Sequence, residues 1–237
     1  MTTVTVTVSE LHWMLAATIP HTDDDELFPM LSCVELRITS QTLTATATDR
    51  HTLGHAAVRL IDSKPRAATL LLPVQFAREL RNLLRTEIDT SGLATVALTL
   101  DEENLVAHLE AGALKRSYAG SIFGPFPDWS KLAARCADAF TTPAPASFAV
   151  DPRLLARFTK GSVDGSIGVM ATAVPVPGAI GSATPMVAVR IGNPGDARYF
   201  FGLIAQLLYR DVMDHSSWAA WAAGLDGARH RTQEQPS

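Results

Sequence analysis

The sequence predicts an α+β fold of repeated β-α-β units, with helices on one face of antiparallel sheets. Three observations predict it. A strand, one short helix and then more strands recur three times along the chain. Thr2–Val8 alternates polar and apolar side chains, the pattern of a strand with one buried face. The second and third helices divide the same way into an apolar and a basic side. A unit of this kind cannot bury its apolar face alone and must stack on its copies.

The first unit runs from Val4 through a helix at Ser9–Ile19, for which Ser9 offers an N-cap. Strands follow near Cys33–Thr39, Thr42–Thr48 and His55–Leu60, with a turn at Ser40-Gln41. The second has a strand at Ala68–Leu72, a helix at Val74–Thr86, and strands near Ala94–Asp101, Asn104–Ala111 and Leu114–Ala119. Asp101-Glu102-Glu103-Asn104 reads as a tight hairpin turn. The third has a strand at Ser147–Val150, a helix at Pro152–Gly161, and strands near Ile167–Ala173, Met186–Ile191 and Tyr199–Leu203. The Pro/Gly-rich and Ala/Thr-rich stretch before the third unit marks a linker. The expected organisation is a first domain over 1–122, a linker over 123–146, a partial second domain over 147–212, and a tail over 213–237. The tail begins as a helix carrying Trp218 and Trp221 and ends in disorder over Arg229–Ser237.

Arg78, Arg81 and Arg85 share one helix face at i, i+3 and i+7, opposite Phe76, Leu80, Leu83 and Leu84. Arg153, Arg157 and Lys160 repeat the arrangement opposite Leu154, Leu155 and Phe158. The formal net charge is −4, so these rows do not follow from a basic composition. They are candidate phosphate-facing surfaces, with ordinary solvated faces as the alternative. The first helix offers only Glu10 and His12.

With 237 residues, 47% of them hydrophobic, the chain can bury a sizeable core. A pI near 6.0 excludes a protein that coats nucleic acid with its whole surface, so any such binding is local. The two cysteines, Cys33 and Cys136, have no metal-ligand spacing. No apolar stretch reaches the ~18 residues of a membrane span, and no secretory leader is read, so a cytoplasmic protein is expected. Asp49, His51 and His55 have metal-ligand chemistry. His51 and His55 would, however, stand about 13 Å apart along one strand. Asp49 reads instead as a turn cap. The acidic run Asp23–Glu26 lacks the spacing of a calcium loop. No phosphate-binding P-loop and no serine nucleophile setting is present, so neither an enzyme nor a cofactor is expected.

Four segments carry a family resemblance. Ala45-Thr46-Ala47-Thr48-Asp49-Arg50-His51-Thr52-Leu53 resembles the ATD-x-H/Y-x-L strand end of the bacterial sliding clamp, the β subunit of DNA polymerase III. Leu70-Leu71-Leu72-Pro73 resembles that family's strand–proline–helix step. Gly124-Pro125-Phe126-Pro127-Asp128-Trp129 resembles its G-x-F-P-D-[WY] linker, and Phe201-Gly202-Leu203-Ile204 its final strand. The resemblance implies the DNA-clamp (processivity) fold. It implies a homo-oligomeric ring around duplex DNA with the helices lining the hole, and a DNA polymerase with a clamp loader as further partners. Arg78, Arg81, Arg85, Arg153, Arg157 and Lys160 would then face phosphates. Thr48, Asp49, His51 and Leu53 would supply part of a partner-peptide pocket. Three departures stand out. The chain is short of three full domains. The family's M-P-x-R end reads Ile204-Ala205-Gln206-Leu207, which puts the usual pocket in question. The strand end lies in the first domain, not the second. The alternative reading is a clamp-fold interaction module that does not encircle DNA.

Overall fold

The computed structural model describes residues 1–25, 27–61, 65–87, 94–122, 124–131, 134, 150–162, 168–175, 183–191 and 196–205. The first unit contributes β1 (Thr2–Thr7), α1 (Val8–Thr18), β2 (Cys33–Ile38), β3 (Thr42–Thr48) and β4 (Thr52–Arg59). The second contributes β5 (Ala68–Pro73), α2 (Val74–Glu87), β6 (Thr95–Asp101), β7 (Val106–Ala111) and β8 (Leu114–Ala119). The third contributes α3 (Pro152–Ala156), a 3-10 turn (Arg157–Lys160), β9 (Gly168–Pro175), β10 (Ala183–Ile191) and β11 (Arg198–Ala205). The expected strand Ser147–Val150 lies outside the described residues up to Ala149, with Val150 not in a strand; most of the linker beyond Lys131 and the tail with Trp218 and Trp221 also lie outside them.

The strands form two sheets, ordered β1-β6-β7-β8 and β5-β2-β3-β4-β11-β10-β9, with antiparallel neighbours throughout. The first two units exchange strands. β1 pairs with β6 of the second unit, while β5 pairs with β2 of the first. β11 joins β4, so the third unit extends the larger sheet.

Local sequence explains most boundaries. α1 starts one residue before expectation because the cap is Thr7, not Ser9. Thr7 Oγ1 accepts from the Glu10 amide at 3.1 Å, and the Thr7 amide donates to Glu10 Oε2 at 3.1 Å. Ser9 has His12 three residues on and cannot build this reciprocal box. The turn after β6 is closed by Asp101, which accepts from the Asn104 amide at 3.2 Å and from Asn104 Nδ2 at 2.8 Å. β4 starts three residues earlier than expected because Asp49 makes the preceding turn very tight. Its Oδ1 accepts from the His51 and Thr52 amides at 3.0 and 2.6 Å, with Arg50 left-handed at φ 75°.

The helices cover one face of the sheets. α1 lies between α2 and the 3-10 turn, and it also packs on β3 and β4. That central place explains why Leu11, Trp13, Met14, Leu15 and Ala17 are all buried, on several of its sides. α2 packs on α1 and is amphipathic, with Ala77, Leu80 and Leu84 buried against the sheet. On the opposite face of the larger sheet, residues 121–122 and 124–131 form a strap. The Ser121 amide donates to Leu71 O on β5 at 2.7 Å, and Trp129 packs on His55 of β4 with centroids 4.4 Å apart.

Candidate nucleic-acid interface

The α2 row has the expected geometry. Arg78 and Arg85 are exposed and Arg81 is half-buried, while Leu80 and Leu84 are fully buried on the other side. Arg85 sits in the last helical turn, where the helix dipole favours a cation. α1 adds a group that spacing did not single out. The His12 imidazole has its pKa pushed down by partial burial and then by the charges of Arg81 and Arg85. His12 therefore stands in the electrostatic field of the arginine row. No sequence signal reports this, because it depends on how α1 packs against α2.

The third row differs from expectation. Asp151 caps α3, and its Oδ1 accepts from the Arg153 amide at 2.8 Å. The Arg153 guanidinium folds back on the same carboxylate at 2.8 Å, although its side chain is 87% exposed. The helix then tightens to 3-10 at Arg157, and the face turns with it. Arg157 does not join an outward row. Its Nη1 donates to Asp49 Oδ2 and, at 3.1 Å, to Thr52 Oγ1, tying the third unit to the β3–β4 turn. Phe158 is buried as expected, and Lys160 is exposed.

Of the residues Thr48, Asp49, His51 and Leu53, the first two are committed to the fold. Thr48 Oγ1 donates to Thr52 O at 2.7 Å. Asp49 is 6% exposed. Burial alone would raise its carboxyl pKa, but the Arg157 and Thr52 hydrogen bonds, with the Arg157 charge, outweigh that and hold it below the usual range. His51 is exposed. Leu53 belongs to an apolar cluster with Met186, Ala188 and Leu203, against which Trp129 and Phe201 pack half-buried. The metal set of Asp49, His51 and His55 is not assembled: Asp49 bonds Arg157, while His55 Nδ1 lies 2.9 Å from Thr46 Oγ1.

Beneath this turn lies the joint between β4 and β11. Gly54 and Gly202 face each other in register. A Cβ on Gly54 would stand 2.3 Å from His21 Cδ2, and one on Gly202 would stand 2.0 Å from Phe158 Cε1. The two rings fill the slot that the glycines leave, with centroids 4.5 Å apart. His21 Nδ1 lies 3.0 Å from Thr52 Oγ1, and its Nε2 has no hydrogen-bond partner among the described residues. Burial, then the Arg157 charge, pushes its pKa down to about 3, against the opposing pull of Asp49.

The family model for the central domain of the DNA polymerase III β subunit matches residues 5–128. The chain belongs to that sliding-clamp family. The match includes α1 and α2 with strands β2 to β8 and ends at Asp128 of the strap. Solved sliding clamps share the fold at low identity. The clamp from Streptococcus pneumoniae TIGR4 superposes with a TM-score of 0.61 at 13% identity, covering 87% of this chain and 65% of that one. The Thermotoga maritima clamp gives 0.59 at 12% identity, covering 91% and 68%. A Pseudomonas aeruginosa clamp gives 0.57 at 13% identity, covering 87% and 66%. This chain thus spans about two thirds of the length of these clamps. No curated protein matches it.

The matched model is that of a central domain, and the matched residues include the strand end at Thr48–Leu53. The family is that of a processivity factor and not of a catalyst. No helix among the described residues is long and apolar enough to cross a membrane.

Proposed function

We propose that this protein is a sliding-clamp-like DNA tether whose copies encircle duplex DNA and raise the processivity of a DNA polymerase. The observation that carries the reading is the row Arg78, Arg81 and Arg85 on a helix layer, with His12 in its field. Lys160, exposed on the third unit, adds a cation beyond it, while the Arg153 guanidinium folds back on Asp151. Contacts from such a row go to phosphates and carry no sequence information, which suits a ring that slides. Arg157 is left out of the DNA-facing set because Asp49 holds it.

The test is duplex binding across a salt series with Arg78, Arg81, Arg85 and Lys160 changed together to Ala. The expected result is weaker binding and a log K versus log salt slope reduced by about 0.9 per lost phosphate contact. Unchanged affinity at low salt removes the reading.

A second reading is a clamp-fold interaction module that binds a protein without encircling DNA. It is favoured by the cluster of Leu53, Met186 and Leu203 on the sheet face away from the helices, with Trp129 and Phe201 half-buried over it. A polymerase or loader peptide would meet that cluster and His51, not Thr48 or Asp49. Binding of such a peptide that survives the four alanine substitutions, without any duplex binding, selects this reading.

A further inference from the structure

Among the described residues, Leu27 and Phe28 are the one adjacent pair of exposed large apolar side chains, 82% and 41% exposed. Their loop is held in shape. The Asp23 amide donates to Leu31 O at 2.9 Å and closes the base of the loop. Arg50, left-handed at φ 75°, sets its guanidinium 3.0 Å from Asp23 Oδ2 and 3.0 Å from Asp25 Oδ2. The same guanidinium lies 4.7 Å over the Phe28 ring. The Leu27 amide donates to Asp25 Oδ1 at 2.9 Å. A neighbouring pair fixed in water marks a docking surface more than scattered single side chains do.

A second apolar feature is read from the sequence. Trp218, Trp221 and Leu225 are spaced i, i+3 and i+7, which predicts one apolar helix face, and the alanines between them favour a helix. These residues lie outside the described ones and follow β11, the last described strand.

We infer that Leu27 and Phe28 are the docking surface for the Trp218–Leu225 segment of the same chain. Three observations select this occupant. The first is where β11 ends. Ile204 stands opposite Thr52, so the chain leaves the sheet beside the β3–β4 turn that carries Arg50 and the exposed His51. The second is reach. One strand spacing, two residues of β4 and the Arg50 side chain put the Phe28 ring roughly 15–20 Å from the end of β11. Trp218 is thirteen positions beyond Ala205, and a flexible tether of that length spans about 20 Å. A tether matched to its span gives an effective concentration on the order of millimolar, which favours the chain's own segment over that of a second copy. The third is charge. Asp23, Asp24 and Asp25 outnumber Arg50 around the pair, so the rim is net negative. From Asp226 to Arg231 the chain is net positive, through Arg229 and Arg231. Cations that trail the apolar anchors complement that rim.

Docking takes two large indole surfaces out of water together with the Leu27 and Phe28 side chains. It also sets the segment beside His51. It rests on the loop and on the exit of β11, and not on duplex or peptide binding.

The test is acrylamide quenching of tryptophan fluorescence in the full-length chain. The signal of Trp218 and Trp221 is taken by difference from a Trp218→Phe/Trp221→Phe variant. It is expected to be shielded in the wild type, to the same degree at every protein concentration. Leu27→Asp is expected to raise the quenching of that signal and shift its emission to the red, with an unchanged circular dichroism spectrum. Leu27→Met is expected to behave as the wild type. In a Cys136→Ser background, Leu27→Cys with Ala222→Cys is expected to close a disulfide within a single chain on oxidation. Quenching unmoved by Leu27→Asp, shielding that fades on dilution, or a disulfide that fails to form or joins two chains would overturn the inference.

Discussion

Gly202 lies directly opposite Gly54 where β11 meets β4, and the space above the pair is filled by Phe158 and His21. The third unit is thus keyed into the first by the absence of two side chains. Gly54→Ala and Gly202→Ala are each expected to destabilise the fold by about 1–3 kcal/mol through overpacking. Gly202→Ala is expected to be the worse, because its Cβ would also stand 2.9 Å from the Leu53 carbonyl oxygen, which is backbone and cannot swing away. Urea unfolding of the two variants checks the order.

Arg157→Ala leaves Asp49 buried without its cation and is expected to cost about 2–4 kcal/mol. Arg81→Ala is expected to cost far less stability and more duplex affinity. Thermal melts beside a binding assay separate the two arginines: equal effects of both on DNA would return Arg157 to the phosphate-facing row.

Acid is expected to loosen the joint. The folded-state pKa of His21 is about 3 and that of His55 about 4, the latter lowered by burial and then by the Arg37 charge. Both lie below the unfolded value, so the unfolded chain binds more protons in between. The contribution of each histidine is complete above about pH 6.5 and falls as pH drops toward its folded value, by on the order of 2 kcal/mol each at pH 4.5. Asp49, with its lowered pKa, adds a further loss below about pH 4. Unfolding free energies at pH 7, 5.5 and 4.5 measure the slope; a flat profile contradicts buried neutral histidines.

Partial burial, then the charges of Arg81 and Arg85, lower the pKa of His12. A phosphate beside it would favour its charged form. Duplex affinity is therefore expected to rise as pH is lowered from 7.5 to 6. With His12→Gln that pH dependence should largely vanish while affinity at pH 7.5 stays close to wild type.

Thr7→Ala removes the cap that closes the start of α1 and is expected to cost about 1 kcal/mol. Ser9→Ala is expected to cost a few tenths. Denaturation midpoints of the two variants decide which residue is the cap.

What the sequence revealed follows the range of each interaction. The α2 row, the strands, the turns at Ser40-Gln41 and Asp101–Asn104, and the capping role of Asp49 all rest on neighbours within a few residues, and all were legible. The bond from Arg157 to Asp49 joins groups 108 positions apart, so helical spacing alone assigned Arg157 to the wrong side. The 3-10 tightening after Ala156 goes with that bond and with the seat of Phe158. His12 was seen on the first helix but not linked to the arginine row for the same reason, since its field comes from a neighbouring helix. The register of Gly54 with Gly202 was equally hidden: each glycine alone reads as an ordinary strand residue.

The exchange of β1 and β5 between the first two units bears on how the nascent polypeptide matures. Thr2 finds its neighbour only at Leu100. Emerging at roughly 5–20 residues per second, the N-terminal segment waits on the order of 5–20 s for its partner to leave the ribosome. Until then β1 has no strand to pair with, although β3, β4 and α2, which cover α1, have already been made.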